Sequence, residues 1–107
     1  MLESELYLRE INRMIKIIEN SIKNKSYPDF LKDGDLIDAS AMRLQVIGEC
    51  SKKLESKYKK NREIWKRFED IRDMISHIYN YLDRELIWDM LNNDIKKLKQ
   101  ILINLKT

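Results

Sequence analysis

Apolar side chains recur along this chain at intervals of three and four residues, the spacing that lines one face of an α-helix. Leu6, Ile11, Met14, Ile15, Ile18 and Ile22 form the first such stripe and predict a helix over 3–24. Residues 25–29 read as a turn with Pro28 as the stop signal, and Phe30 and Leu31 read as loop residues that plug the core. Asp35 is the candidate N-cap of a second helix over 35–60, whose apolar positions are Leu36, Ala39, Val46, Ile47, Cys50 and Leu54. The basic stretch around Asn61 breaks it. Residues 63–68 read as a short helical turn anchored by Trp65 and Phe68, and 69–81 as a separate helix. Asp83 is the candidate cap of a last helix over 84–105, with Ile87, Leu91, Ile95, Leu98, Leu102 and Leu105 on one face. The expected fold is all-α: an antiparallel bundle of four main helices plus one short helix, in a single domain over 1–107.

Composition supports that reading. Two glycines and one proline in 107 residues leave few helix breakers. No apolar run approaches the roughly 20 residues that span a bilayer, so no membrane association is expected. Residues 1–5 lack the basic and apolar regions of a signal peptide, and a single cysteine, Cys50, forms no internal disulfide. Both features fit the cytoplasm. Cys50 falls among apolar helical positions and reads as packing. The net charge of +3 is mild, but its distribution is not even. Lys52, Lys53, Lys57, Lys59, Lys60, Arg62, Lys66 and Arg67 cluster ahead of the 69–81 helix, with Tyr58 and Trp65 interleaved. Two readings are open: a surface that neutralises RNA phosphates and stacks a base, with Lys57, Lys59, Lys60, Arg62, Lys66 and Arg67 as contacts, or a solvated helix end with two core aromatics.

His77 is the only histidine. It lies in the run Arg72-Asp73-Met74-Ile75-Ser76-His77-Ile78-Tyr79. At about 100° per residue, Ile71, Met74, Ile75, Ile78 and Leu82 share an apolar stripe. Asp73, Ser76, His77 and Asn80 point away from it, toward water or another chain. Asp73 and His77 are an i, i+4 pair, so the carboxylate is expected to accept from one ring nitrogen and leave the other free. Arg72, five residues from His77, diverges by about 140° around the helix. It joins His77 by bending back, or by two such helices packing across a two-fold axis into one cleft.

The chemistry that remains is narrow. One histidine, one cysteine and no adjacent carboxylate cluster give no metal cage, and two glycines give no phosphate-binding loop. An imidazole, a guanidinium and two hydroxyls suit RNA cleavage by its own 2′-hydroxyl, which needs neither metal nor cofactor. The alternative is a surface histidine without a role.

The spacing Arg72-x-x-x-x-His77-x-Tyr79 resembles the signature of the HEPN superfamily, in particular its HepT branch of small toxins. The stretch Arg43-Leu44-Gln45-Val46-Ile47-Gly48-Glu49-Cys50-Ser51-Lys52-Lys53 is similar to that branch's second helix. Ile64-Trp65, Leu86-Ile87-Trp88-Asp89 and Asn93-Asp94 extend the resemblance over about 27–100. It implies an all-α homodimer with metal-independent endoribonuclease activity on tRNA or mRNA. Arg72 and His77 take the catalytic roles, and Asp73 the polar position after the arginine. Ser76 and Glu49 are the supporting candidates; Glu49 contacts a dimer mate, contacts Arg72, or is solvated. Arg43 reads as a structural or cleft-lining arginine. The resemblance also implies a partner, an MntA-like nucleotidyltransferase antitoxin that attaches AMP to Tyr79. A second function class fits the same residues: a non-catalytic partner subunit of a minimal nucleotidyltransferase, in which His77 only shapes a binding surface. A third is a helical interaction module, expected to be a monomer.

Overall fold

A computed structural model describes residues 2–77 and 82–105. Its elements are α1 (Glu3–Ile22), α2 (Tyr27–Leu31), α3 (Gly34–Lys53), a 3₁₀ turn (Ser56–Tyr58), α4 (Arg62–His77), α5 (Arg84–Asp89), a π-helical turn (Met90–Asp94) and α6 (Ile95–Leu105). The α5–π–α6 run is one helical rod, so four long helices and one short one form the bundle, as the periodicity predicts. No helix among the described residues is long and apolar enough to cross a membrane.

The short helix is not the expected one. Pro28 starts a helix rather than stopping one, because its missing N–H costs nothing in a first turn. Ser26 Oγ accepts from Asp29 N, and Asp29 Oδ2 accepts from Ser26 N, a reciprocal capping box. The helix carries Phe30 into the core, where it is fully buried against the Trp88 ring at 5.0 Å between centroids; Leu31 stays exposed. The cap of α3 is Asp33, whose Oδ1 accepts from Leu36 N at 3.0 Å, so Asp35 sits inside the first turn.

The second helix ends at Lys53, not near 60. Leu54 turns inward as the C-cap and is buried. Lys59 then fixes the following loop, with its ammonium donating to Ser51 O at 2.9 Å. Asn61, with a left-handed φ of 57°, ends the loop. From there α4 runs unbroken through 62–77, merging the two segments expected at 63–68 and 69–81; no breaker separates them. Asp83 caps α5 as expected, accepting from Leu86 N at 3.0 Å.

The core joins Ile11, Ile15 and Ile18 of α1, Leu44 and Ile47 of α3, Trp65, Phe68 and Ile71 of α4, and Ile87, Leu91, Ile95 and Leu98 of the last rod. Burying each large aliphatic side chain contributes about 1.5–3 kcal/mol before entropy is counted. Three positions predicted for the core, Leu6, Leu31 and Met74, are exposed, Ala39 is half-buried outside it, and Ile78 lies outside the described residues. On a helical wheel Leu6 and Met74 lie at the edges of their stripes.

α3 and α4 pack side by side at very close range, and Gly48 explains how. A Cβ there would lie 2.4 Å from both Arg72 Cβ and the Phe68 carbonyl oxygen. Only glycine lets the two backbones approach this far.

Candidate functional site

The close approach at Gly48 brings two polar stripes together. On α3 they are Gln45, Glu49, Ser51 and Lys52; on α4, Glu69, Arg72, Asp73 and Ser76. The pairing is antiparallel. Ser51 Oγ donates to Glu69 Oε2 at 2.5 Å, Arg72 Nε lies 2.8 Å from Glu49 Oε2, Lys52 Nζ donates to Asp73 Oδ1 at 2.6 Å, and Gln45 Nε2 donates to Ser76 Oγ at 2.9 Å. Asp73 and Ser76, expected to look outward, are therefore rungs of an inter-helix ladder, while Asn80 lies outside the described residues. His77, at its open end, is the exposed member.

Glu69, which the sequence did not single out, closes the buried end. Its side chain is 13% exposed and gathers Lys59 Nζ at 3.4 Å and Arg62 Nη1 at 3.1 Å. Burial pushes its carboxyl upward, but donation from Arg62 and Ser51, together with the Lys59 charge, more than offsets this. The result lies below its ordinary value.

Asp73 is clamped at one oxygen. Oδ1 accepts from Lys52 and also from Arg72 Nη1 at 3.2 Å, and these donors hold its carboxyl below the ordinary range. The expected Asp73 carboxylate–His77 bond is not formed. The ring's Nδ1 instead lies 2.8 Å from the Asp73 main-chain oxygen. A carbonyl only accepts, so Nδ1 carries a proton, and Nε2 is the nitrogen left without a partner among the described residues. Arg72 is turned toward α3, between Glu49 and Asp73. Lys53 adds a second cation 3.8 Å from Glu49.

The basic stretch divides. Lys59 is a buried anchor of the loop, so its charge is spent internally. Arg62 pairs with Glu69, Lys66 with Asp70 at 3.0 Å, and Arg67 with buried Asp94 and, at 3.8 Å, Asp89. Lys57 lies 5.2 Å over the Tyr58 ring. Lys60 is exposed, and no carboxylate among the described residues pairs with it. Trp65 is fully buried, with its indole N–H donating to Lys60 O at 2.9 Å, so it stacks on no base. Arg43 has Nη1 buried without a hydrogen-bond partner among the described residues. Cys50 is buried as expected, and burial pushes its thiol up. Tyr79 lies outside the described residues. No group of three or more His, Cys, Asp or Glu side chains among those described is placed to hold a metal.

A family model described as "Ribonuclease HepT-like" matches residues 11–105. The chain is 33% identical over 95 residues to "Probable ribonuclease HepT" of Thermococcus cleftensis, covering 87% of this chain and 86% of that protein. It is 35% identical over 103 residues to "Gamma-glutamylcyclotransferase and putative RNase" of Methanocaldococcus jannaschii, covering 94% of this chain. The match spans 46% of that longer protein. A third relative, "Putative RNase" of Caldanaerobacter subterraneus subsp. tengcongensis, is 30% identical over 96 residues, covering 88% of this chain and 86% of its own length. No solved structure matches the chain significantly.

Proposed function

The chain belongs to the HepT-like ribonuclease family, and from that premise we propose that it is a metal-independent endoribonuclease whose reacting groups are His77 and Arg72. The observation that carries this reading is the His77 ring, exposed at the end of α4 with Nδ1 committed to the Asp73 carbonyl. A neutral imidazole held this way is a general base with one free face. The 2′-hydroxyl of an RNA strand gives its proton to Nε2 and its oxygen attacks the adjacent phosphorus. The bond from phosphorus to the 5′ oxygen breaks, that oxygen takes a proton from water, and the other fragment keeps a 2′,3′-cyclic phosphate. Arg72 offsets the charge gathered on the phosphoryl oxygens.

Within one copy, Arg72 turns toward α3 while His77 faces out. That divergence favours a site completed by a second copy across a two-fold axis, where two arginines and two histidines share a cleft. Lys57 and Lys60 are the cations of the basic stretch least committed to carboxylates, and they are the first candidates to track the RNA backbone. The protein is then the toxin of a toxin–antitoxin pair acting in the cytoplasm on tRNA or mRNA. A minimal nucleotidyltransferase of the MntA type silences it by adding AMP to Tyr79, since phosphates there repel those of RNA.

The decisive experiment incubates purified protein with total RNA in EDTA beside His77→Ala. The variant is expected to keep its fold, because the ring is exposed, and to lose about 10²–10⁴-fold in cleavage rate. Equal cleavage by both proteins overturns the mechanism. Mass spectrometry after co-expression with a cognate transferase tests the silencing; an unmodified Tyr79 peptide counts against it.

A further inference from the structure

Lys52 makes the shortest charged contact near the histidine, yet it has no place in the chemistry above. Its ammonium is 2.6 Å from Asp73 Oδ1 and reaches across from α3. Both side chains are more than a third exposed, and ion pairs of that kind contribute little to folding. The geometry suggests another use. Asp73 stands four residues before His77, the spacing at which a carboxylate and an imidazole meet on a helix. With Lys52 and Arg72 both on Oδ1, that carboxylate is drawn to α3, and the ring settles on the main-chain carbonyl instead.

We propose that Lys52 is a positioning residue: it holds the Asp73 carboxylate away from His77, so that the imidazole keeps its carbonyl bond and a free Nε2. The charged groups around this end of the ladder are Arg72 and Asp73 on α4 and Glu49, Lys52 and Lys53 on α3. Gln45, also on α3, meets Ser76 beside the ring and is uncharged, and Arg43 lies further along the same helix. Three cations against two carboxylates leave one positive charge beside Arg72. Without Lys52 that surplus disappears, and a freed Asp73 carboxylate favours the protonated ring.

The value of Lys52 to catalysis rests on the ribonuclease reading, but its effect on the ring does not. Because the chain has one histidine, proton NMR follows the His77 ring alone through a pH titration, without RNA. In Lys52→Met the ring is expected to titrate about 0.3 pH unit higher than in the unaltered protein, the scale of an exposed helical ion pair. Lys52→Arg is expected to match the unaltered protein. In an Asp73→Asn background, Lys52→Met is expected to produce a clearly smaller shift, because the carboxylate it would free is gone and only the loss of the lysine's charge is felt. An unmoved ring in Lys52→Met overturns the proposal. So does an equal shift in the Asp73→Asn background, which would mean that only the loss of a nearby positive charge is felt. If the ring shifts as expected while His77→Ala leaves RNA cleavage unchanged, the positioning role stands and the ribonuclease reading falls.

Discussion

Replacing Gly48 with alanine adds one methyl group at the point where α3 and α4 touch. The added Cβ would meet Arg72 Cβ and Phe68 O, each at 2.4 Å. Carbon contacts are optimal near 3.5–4.0 Å, so the shortfall exceeds about 1 Å. Neither neighbour is the free end of a flexible side chain. One is a main-chain carbonyl, and the other is a Cβ fixed to the α4 backbone, so the helices themselves must separate. Overpacking of this kind costs about 1–3 kcal/mol, and occasionally more. Alanine recovers about 1 kcal/mol through its greater helix propensity. The strain falls on two backbones at once, so the upper part of that range applies. The expected net loss is about 2 kcal/mol, or a fall of roughly 10 °C in Tm for a domain this size. Thermal melts by far-ultraviolet circular dichroism measure it. Gly34→Ala is the internal control: its added Cβ meets nothing within 4 Å, so that variant should melt at or above the unaltered protein. RNA cleavage by Gly48→Ala should fall further than its folded fraction, because parted helices lengthen the Glu49–Arg72 and Lys52–Asp73 contacts. A Gly48→Ala protein as stable as the original would refute the close-approach argument.

Glu69 makes stability depend on acid. Its carboxyl sits below the ordinary value, so its contribution is full above about pH 5 and fades as pH falls through the lowered value. Glu69→Gln should cost about 1.5–3 kcal/mol at pH 7 and flatten the acid limb of urea-melt stability between about pH 5 and 3; parallel limbs would contradict this. Asp33→Ala should cost about 1 kcal/mol by removing the α3 cap. Asp35→Ala, measured in the same urea melts, should cost clearly less, and the reverse order would restore Asp35 as the cap.

The legible parts of the fold are those written in local periodicity. The stripe from Ile11 to Ile18 placed α1, and Asp83 marked the start of the last rod because an acid before an apolar run has a capping use. The errors share a cause. Proline commonly terminates a helix, but the Ser26-x-x-Asp29 box beside Pro28 makes it an initiator here. The division into a short turn at 63–68 and a helix from 69 has no physical support, since nothing in 62–77 forbids a continuous helix. The π turn at Met90–Asp94 coincides with buried Asp94 and its Arg67 partner, a pairing across 27 residues that no local window contains.

The candidate site divides in the same way, and the division has a physical origin. Arg72, Asp73 and His77 lie on one helix, so their spacing could be read directly. Their partners lie on α3, and Gln45, Glu49 and Lys52 recur there at three- and four-residue intervals, as Glu69, Arg72 or Asp73, and Ser76 do on α4. Hydrophobic periodicity assigns both stripes to water. What reverses the assignment is Gly48, which sits within the α3 stripe and removes the side chain that would keep the helices apart. Once the backbones close, two polar faces meet each other rather than solvent, and every rung finds a complement. Exposure then grades the ladder. Glu69 and Lys59, at 13% and 7% exposed, are where charge pairing bears on stability. Asp73 and Lys52, at 45% and 38%, contribute little to it and act on the orientation of the ring beside them. A glycine inside a polar helical stripe, opposite a second polar stripe of the same period, is the sequence feature from which the ladder follows.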